Sequence, residues 1–302
     1  KKHSIMNLII SKTIFALYMI IENIKIFFEL SKFRLSLLVS LSSIFGFLIS
    51  SKSVDINEVF ILLIAGYLVS SSSVINNQIF ERDLDKLMER TKKRPIPTDR
   101  VSIKKSIIIS FTSMIVGLSL ISYYLNIYAA LLSLISLILY SFVYTPMKKI
   151  GPVAVFIGAI PGALPPLIGW VASTGQITLE AIIIFSIQFI WQFPHFWAIA
   201  WMYDDDYKKA GFKLLPNKGE KNMKTAVNIM IYTLFLIPLG LLPTIFGITG
   251  IISGAVAVLL AIIFLAQTFK LINDYSRDSA LKVMFSSFIY LPIVQISYVL
   301  DK

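Results

Sequence analysis

Long apolar segments separated by polar breaks dominate this chain. A membrane-spanning helix needs about 20 predominantly apolar residues, and nine segments of roughly that length follow one another along the sequence. The predicted spans are residues 31–51, 57–80, 103–123, 127–146, 152–173, 178–202, 225–245, 249–270 and 281–299. The pattern therefore predicts an all-α polytopic membrane protein with about nine transmembrane helices.

The charged residues in the breaks are distributed asymmetrically. When the predicted spans alternate in direction, one side of the membrane receives nearly all the lysines and arginines, including the whole 82–105 and 208–224 loops. The other side receives essentially Lys52 and Lys302. Because basic loops remain in the cytoplasm, we expect this basic face to lie on the cytoplasmic side of the cell inner membrane. A wrong number of spans would have destroyed the asymmetry.

The composition excludes several functional classes. Hydrophobic residues make up 56% of the 302 residues and charged residues only 15%, which is far from the average of soluble proteins. The chain has no cysteine, so disulfides, thiolate metal ligands and a cysteine nucleophile are excluded. The net charge of +11 lies in loops between apolar segments, where cations set the topology and meet anionic lipid or substrate. We therefore expect a lipid bilayer as partner and no nucleic acid.

The first residues differ from the predicted spans. Residues 4–30 are apolar but contain Lys12, Glu22 and Lys25, and they lack a small-residue cleavage site. A cleaved signal peptide is therefore not expected. We interpret residues 1–27 as an N-terminal extension that forms an interfacial helix, with an additional transmembrane span as the alternative. Residues 28–302 form the predicted transmembrane domain.

An acidic motif ends the second predicted span. Asn77, Glu81 and Asp85 recur at i, i+4 and i+8, so on a helix their oxygens lie on one face. Carboxylate and amide oxygens suit Mg²⁺, which usually binds one or two carboxylates together with substrate phosphates. The alternative is a polar helix end that only reaches for water. The cations that follow, Arg90, Lys93 and Arg94, are of the kind that a diphosphate requires and favour a metal–diphosphate site.

A second acidic cluster ends the sixth predicted span on the same basic face. Asp204, Asp205 and Asp206 are adjacent, and three neighbouring carboxylates repel one another unless a divalent ion or lysines relieve the repulsion. A solvated acidic loop is the alternative interpretation. We predict that Asp205 and Asp206 act in catalysis and that Asp206 is a metal ligand. Together with the first motif, they would enclose a metal-bound diphosphate from two sides.

Several lysines are further candidates for binding the diphosphate. Lys148 and Lys149 end the fourth predicted span, and Lys208 with Lys209 follows the second acidic cluster. An ammonium group on a flexible side chain can reach a phosphate oxygen as a point charge. The alternative for the Lys148–Lys149 pair is a purely topogenic role. Our predicted diphosphate ligands are Arg90, Lys93, Arg94, Lys148, Lys149 and Lys208.

An aromatic segment surrounds the single histidine within the spans. His195 follows Pro194 in the sixth span, with Trp191 and Trp197 close by in sequence. A lone histidine in a helix is commonly a packing residue. At membrane depth among aromatics, its imidazole can also ligate an iron or contact a flat aromatic acceptor. Glycines and prolines crowd the preceding span, which indicates either close helix packing or room for a bulky acceptor.

These motifs together resemble those of a known family. The Asn77-x3-Glu81-x3-Asp85 pattern with a later acidic cluster is similar to the paired aspartate-rich motifs of UbiA-type intramembrane prenyltransferases. Residues 85–95 resemble the D-x-x-M-x-R-T-x-x-R-P signature of the protohaem IX farnesyltransferase (haem O synthase) branch, and residues 161–170, 194–197 and 206–216 match that branch too. The likeness spans about residues 28–300. Two departures are Glu81, where aspartate is common, and Met202, which stands four residues before Asp206.

The resemblance implies a fold, a reaction and a set of roles. It implies nine helices around a central cavity, dependence on Mg²⁺, and transfer of the farnesyl group of farnesyl diphosphate to a vinyl group of haem b. The product would be haem O for haem–copper oxidases, with a haem A synthase downstream as a partner. Asn77, Glu81 and Asp85 would bind the metal with Asp206, while His195, Trp191 and Trp197 would position the haem.

Two alternative functions are compatible with parts of the sequence. A related prenyltransferase that acts on an aromatic acid or quinone precursor would use the same diphosphate chemistry. The Pro194–Trp197 segment and the arginine–threonine loop argue against that acceptor. A transporter would carry its ionisable residues near the membrane midplane, whereas these acids lie at one face and are flanked by cations.

Overall fold

Nine long helices account for most of the part of the chain that the structure describes. The computed structural model describes residues 17, 19 and 21–302. Over these residues, nine helices are long and apolar enough to cross a membrane. They are α1 (Phe33–Ser50), α2 (Ile56–Phe80), α3 (Ile103–Tyr124), α4 (Ile127–Met147), α5 (Val153–Thr174), α6 (Leu179–Met202), α7 (Met223–Ile245), α8 (Ile251–Asp274) and α9 (Arg277–Leu300). The prediction of an all-α multi-pass membrane protein with nine spans is confirmed.

Local sequence signals determine where most of these helices begin. A side chain at the N-cap position of six helices accepts a hydrogen bond from a backbone N–H of the first turn, which satisfies a donor that has no partner inside the helix. These caps are Asp55, Ser102, Asn126, Thr178, Asn222 and Ser276. The helix boundaries are therefore determined by the polar capping residues in the breaks as well as by the length of the apolar segments.

The helices form a closed arrangement around a large cavity. Helices that are consecutive in the chain pack against each other, α1 also packs against α5 and α9, and α6 also packs against α9. On the face away from the basic loops, Asn126 Nδ2 donates to the Val171 carbonyl at 2.8 Å and Lys302 Nζ to the Ser51 carbonyl at 2.7 Å. The cavity between the helices has a volume of about 1300 Å³ and is lined mainly by α1, α2, α4, α5, α6 and α9.

Helices α1 and α5 touch backbone to backbone. A Cβ atom at Gly169 would overlap the carbonyl oxygen of Ser43, and one at Gly46 would overlap the carbonyl oxygen of Pro166. Small residues allow such close approach of membrane helices. Elsewhere on α5, Gly158 faces the Tyr144 ring and Gly162 faces the Gln192 side chain. The glycines of α5 therefore serve both close packing and the walls of the cavity.

The helix α4 changes its winding before it reaches the basic face. Residues Leu139–Tyr144 form a π-helical segment, which is followed by the short α-helical turn Thr145–Met147. Such wider turns often occur at functional sites. Tyr140, Tyr144 and Lys148 all line the cavity. The π-helical segment therefore lies directly before a lysine that faces the cavity.

The loops on the basic face are compactly folded. The loop after α2 begins with a short helix, Arg82–Asp85, and buries Met88, Ile96 and Val101. Residues 21–30 are helical, and Ile26 and Leu30 pack against that buried surface. Residues 1–16 lie outside the described part of the chain, so the division at residue 27 and the interfacial character of the extension stay predictions.

The contact between α1 and α5 leads to a first testable prediction. We expect Gly169→Ala to lower the stability of the folded protein by about 1–3 kcal/mol, because overpacking forces two helix backbones apart. Thermal unfolding of the detergent-solubilised protein measures this effect. Gly162→Ala on the same helix is the matched control, since its new methyl group meets only the end of the flexible Gln192 side chain. Equal stability of both variants would contradict the prediction.

Candidate active site

The first acidic motif forms one line of oxygens at the end of α2. The helical spacing continues past the end of α2, because the Glu81 N–H donates to the Asn77 carbonyl at 3.0 Å and the Asp85 N–H to the Glu81 carbonyl at 2.7 Å. Asp85 is 0% exposed and Glu81 is 5% exposed, and all three side chains line the cavity. The spacing in the sequence therefore predicted a real alignment of these three side chains.

Each member of this motif has a specific partner. Lys148 Nζ lies 2.9 Å from Glu81 Oε1, and Arg94 Nη1 lies 2.7 Å from Asp85 Oδ2. The third member, Asn77, donates from Nδ2 to the Thr145 hydroxyl at 3.1 Å. Buried carboxylates need such cations, since an unpaired buried charge costs several kcal/mol. The pairs bring the end of α4 and the 85–95 loop to the end of α2.

The donor set of the motif fits a hard divalent cation. No hydrogen-bond donor of the described residues reaches Asp85 Oδ1, which is buried, and burial raises the pKa of this carboxyl. Asn77 uses its amide nitrogen for Thr145, which leaves its amide oxygen for a ligand. No group of three His, Asp or Glu side chains converges within the described residues. A cation here would therefore take further ligands from a substrate, as Mg²⁺ commonly does.

Cations outnumber carboxylates around the cavity. The ionisable cationic residues that line it are Lys32, Arg90, Lys93, Arg94 and Lys148, and the acidic ones are Glu29, Glu81 and Asp85. Five positive and three negative charges leave an excess of two positive charges. This excess at one end of an apolar cavity favours a ligand with an anionic head and an apolar body.

Lys32 is a site residue that the sequence interpretation missed. It lies directly before α1 with left-handed backbone angles, φ 44° and ψ 61°, and its side chain lines the cavity. Burial, reinforced by the nearby charges of Arg94 and Lys148, lowers the pKa of its ammonium group. In the sequence it counted only as one of many basic residues on the basic face, and no local signal separated it from the others.

The second acidic cluster does not face the cavity, and its Asp206 binds the loop that follows α2. Asp206 accepts hydrogen bonds from the backbone N–H groups of Glu89 at 2.9 Å and Arg90 at 3.1 Å. Burial opposes ionisation of Asp206, but these hydrogen bonds outweigh it and lower the pKa of the carboxyl. Asp204 pairs with Lys208 at 2.7 Å, and Asp205 is exposed. The geometry thus gives Asp206 a clamping role, and its role as a metal ligand stays a prediction.

Arg90 lies where the loop after α2 meets the segment that follows α6. Its guanidinium carbon is 5.3 Å from the centre of the Tyr203 ring and 5.6 Å from that of Tyr207, a range in which cation–π attraction operates. Its Nη2 also donates to the Tyr207 hydroxyl at 3.3 Å. Arg90, Lys93, Arg94 and Lys148 all line the cavity, and their role as diphosphate ligands stays a prediction.

Several predicted site residues lie away from the cavity, and their roles at the site stay predictions. Lys149 is exposed, although the adjacent Lys148 faces the cavity. Lys208 is engaged by Asp204, whose hydrogen bond raises the pKa of the lysine. The ring of Trp197 packs against Phe193 and Tyr232, so the tryptophan belongs to the packing between α6 and α7. Neither Asp205 nor Asp206 is among the residues that line the cavity.

The other aromatic candidates do line the cavity. The rings of Trp191 and His195 stack with centres 4.4 Å apart and an interplanar angle of 15°. Both are held by Ser287 on α9, which accepts from Trp191 Nε1 through its carbonyl at 2.9 Å and contacts His195 Nδ1 through its hydroxyl at 2.8 Å. The pair forms one wall of the cavity at membrane depth.

Comparison with known sequences decides the family. A model of the UbiA prenyltransferase family matches residues 39–291. The chain belongs to the UbiA prenyltransferase family. It is 50% identical to the protoheme IX farnesyltransferase of Cytophaga hutchinsonii, over 91% of this chain and 97% of that protein. It is 42% identical to the protoheme IX farnesyltransferase of Christiangramia forsetii, over 91% and 93% of the two chains. The resemblance inferred from the motifs is confirmed, and the chain is an enzyme of this prenyltransferase type.

Solved structures confirm the fold of this UbiA family member. A digeranylgeranylglyceryl phosphate synthase matches with a TM-score of 0.77 and 24% identity, over 93% of this chain and 98% of that one. A UbiA homolog from Archaeoglobus fulgidus, described as bound to GPP and Mg²⁺, matches with a TM-score of 0.66 and 15% identity, over 91% and 99% of the chains. At these identities the similarity supports the helical architecture around the cavity.

The clamp by Asp206 leads to a second testable prediction. We expect Asp206→Asn to keep much of the activity, because its amide oxygen still accepts a backbone hydrogen bond, whereas Asp206→Ala releases the 89–90 turn. The alanine variant should raise the KM for the prenyl diphosphate about tenfold with the Mg²⁺ requirement unchanged, since a hydrogen bond to a charged group contributes about 1.5–3 kcal/mol. Steady-state kinetics over a Mg²⁺ titration measure both quantities. A large shift in the Mg²⁺ requirement of Asp206→Asn would instead support metal ligation.

Proposed function

We propose that this enzyme transfers the farnesyl group of farnesyl diphosphate to a vinyl group of haem b and so forms haem O. The single observation that carries the proposal is the cavity, in which a cation-rich end with paired carboxylates leads into an apolar interior lined by Trp191 and His195. Its volume of about 1300 Å³ exceeds the upper range of ligand pockets, about 1,000 Å³. Such a volume suits two large substrates side by side.

The basic end of the cavity binds the diphosphate. This end is lined by five cationic side chains, those of Lys32, Arg90, Lys93, Arg94 and Lys148. Arg94 and Lys148 are already charge-paired with Asp85 and Glu81, so they are held in place before the substrate arrives. Preorganised donors of this kind are effective because they stabilise charge as it develops on a leaving group. The developing negative charge of the departing diphosphate is met by cations that need little rearrangement.

The oxygen ligands for Mg²⁺ are Asn77, Glu81 and Asp85. The unpartnered Oδ1 of Asp85 and the free amide oxygen of Asn77 are the atoms that favour this assignment. When bound, Mg²⁺ supplies Lewis-acid stabilisation of the diphosphate oxygens. On the opposite side, Asp206 contributes by positioning Arg90 through its backbone N–H, and metal ligation by Asp206 stays a prediction.

The reaction itself needs few protein groups. The allylic C–O bond of farnesyl diphosphate breaks, and its electron pair leaves with the diphosphate. The π electrons of the haem vinyl group form a C–C bond to the farnesyl carbon, which leaves a cation on the vinyl carbon next to the porphyrin ring. Water adds to that carbon and loses a proton, which gives a hydroxyethylfarnesyl haem. The apolar walls limit earlier capture of the farnesyl cation by water.

The aromatic wall positions the acceptor. His195 and Trp191 present a stacked pair to the cavity, and the Phe288 ring lies 4.9 Å from the His195 ring in an edge contact. A flat aromatic macrocycle is the kind of ligand that such rings bind. The relatives named protoheme IX farnesyltransferase support haem b over a quinone precursor as the acceptor.

The cellular setting follows from the distribution of charge. The loops that carry the site hold most of the lysines and arginines, so the site faces the cytoplasm from the cell inner membrane. Haem O is then released on that side or within the bilayer. A haem A synthase that takes up this product stays a prediction.

A reconstitution assay tests the proposed function. Purified protein in nanodiscs is incubated with haem b, farnesyl diphosphate and Mg²⁺, and we expect a haem product heavier by farnesyl plus water in mass spectrometry, which is lost with EDTA. Asp85→Ala should abolish the product with the fold intact. Asp83→Ala is the matched control, because Asp83 lies on the same short helix with a side chain that is 74% exposed.

The same assay separates the alternative acceptor. Prenylation of a quinone precursor without any haem product would keep the diphosphate site and overturn the assignment of the acceptor. Normal haem O formation by Asp85→Ala would overturn the assignment of the acidic motif.

Lys32 leads to a further testable prediction. We expect Lys32→Gly to raise the KM for farnesyl diphosphate about tenfold or more, because one charge-assisted contact of about 1.5–3 kcal/mol is lost. Glycine adopts positive φ without strain, so this substitution removes the side chain and keeps the backbone conformation. Lys52→Gly, on the opposite face, serves as the control for removal of a lysine. An unchanged KM in Lys32→Gly would contradict a role in diphosphate binding.

A further inference from the structure

The hydroxyl of Ser287 determines which nitrogen of His195 is available to a ligand. Ser287 is fully buried on α9, and its Oγ donates to the Met284 carbonyl at 2.5 Å. A serine hydroxyl has a single proton, which this bond uses. We therefore assign Nδ1–H as the donor in the contact of 2.8 Å between Ser287 Oγ and His195 Nδ1. In the neutral imidazole, Nε2 then carries the lone pair.

The surroundings of the imidazole fix its orientation as well as its tautomer. Trp191 stacks on one face of the ring, and Phe288 contacts it edge-on. The same Ser287 holds both rings of the pair, because its carbonyl accepts from Trp191 Nε1. His195 lines the cavity, and no described residue hydrogen bonds to its Nε2. The lone pair is therefore the one polar function that this histidine can offer to a molecule in the cavity.

We propose that His195 Nε2 is an axial ligand of the iron of the haem substrate and that Ser287 is the residue that positions it. This inference rests on the proposed function, since it specifies how the same cavity holds its acceptor. Metal-bound histidines commonly donate their other N–H to a fixed acceptor, which sets the tautomer and the ring orientation. The Met284 carbonyl, the Ser287 hydroxyl and His195 form such a chain of hydrogen bonds.

The position of His195 along α6 suits this role. It lies seven residues before Met202, the end of α6 on the basic face, which corresponds to a depth of about 10 Å at about 1.5 Å per residue. Asp85 and Arg94 lie at that same face. A porphyrin held by its iron at this depth lies within about 10 Å of the diphosphate end, where the farnesyl carbon becomes reactive. Ligation of the iron would thus set the depth of the porphyrin in the cavity.

Spectroscopy of bound haem tests this inference independently of turnover. Ferric haem b is titrated into the full-length protein in nanodiscs, and the absorption and electron paramagnetic resonance spectra are expected to show histidine ligation. His195→Gly should lose that signature, and added imidazole should restore it. Ser287→Ala should raise the Kd for ferric haem about tenfold or more, in line with the effect of losing an outer-shell partner.

Two controls separate iron ligation from packing. Ser297→Ala removes a hydroxyl that makes the same type of bond on α9, to the Val294 carbonyl at 2.9 Å, and should leave haem binding unchanged. Metal-free protoporphyrin IX has the same vinyl groups but no iron, so its Kd should not depend on Ser287. An equal loss of affinity for haem and for the metal-free porphyrin in Ser287→Ala would overturn the inference.

The outcomes also separate this inference from the proposed function. A wild-type protein that forms haem O while its bound haem shows no histidine ligation would overturn the inference and leave the function in place. A wild-type protein that shows histidine-ligated haem, weakened in Ser287→Ala, but yields no prenylated haem would support the inference and overturn the function.

Discussion

Buried charge in an apolar surround is the constraint on which the rest of this site depends. Glu81 and Asp85 have almost no contact with solvent, and a carboxylate at such a position is stable only beside a cation. Lys148 and Arg94 supply those cations from two other parts of the chain. The ends of α2 and α4 and the 85–95 loop are therefore bound to one another by electrostatics. The same pairs leave the cations placed for an anionic substrate.

The position of the loops is controlled from the other half of the bundle. Asp206, just after α6, holds the backbone of residues 89 and 90, and that turn leads to Arg94 and so to Asp85. Since hydrogen bonds to a carboxylate are stronger than neutral ones, this connection joins the two acidic segments firmly. The charged contacts are confined to the basic end, whereas the interior has apolar and aromatic walls with uncharged polar groups such as Gln188 and Gln295. The basic end of the cavity thus stabilises the leaving group, and the deeper apolar part shields the carbocation.

Features with a local cause could be predicted from the sequence. The nine spans follow from apolar length and from capping residues, and the alignment of Asn77, Glu81 and Asp85 follows from helical periodicity. It was harder to predict which of two adjacent residues belongs to the site. Neighbours on a helix point about 100° apart, and tertiary orientation decides which one faces the cavity. This is why Lys148 faces it and Lys149 does not. Trp197, two residues after His195, could have been excluded by the same periodicity.

Lys32 is a site residue that could not be recognised from any single segment of the sequence. Many lysines flank the spans and set topology, and nothing local separates the one that enters the cavity from the rest. It does so because the chain turns through a left-handed residue between the 21–30 helix and α1, and because that helix is packed onto the loop after α2. The excess of cations over carboxylates arises only when segments before α1, after α2 and after α4 meet. The affinity for a diphosphate is therefore a property of the assembled basic face.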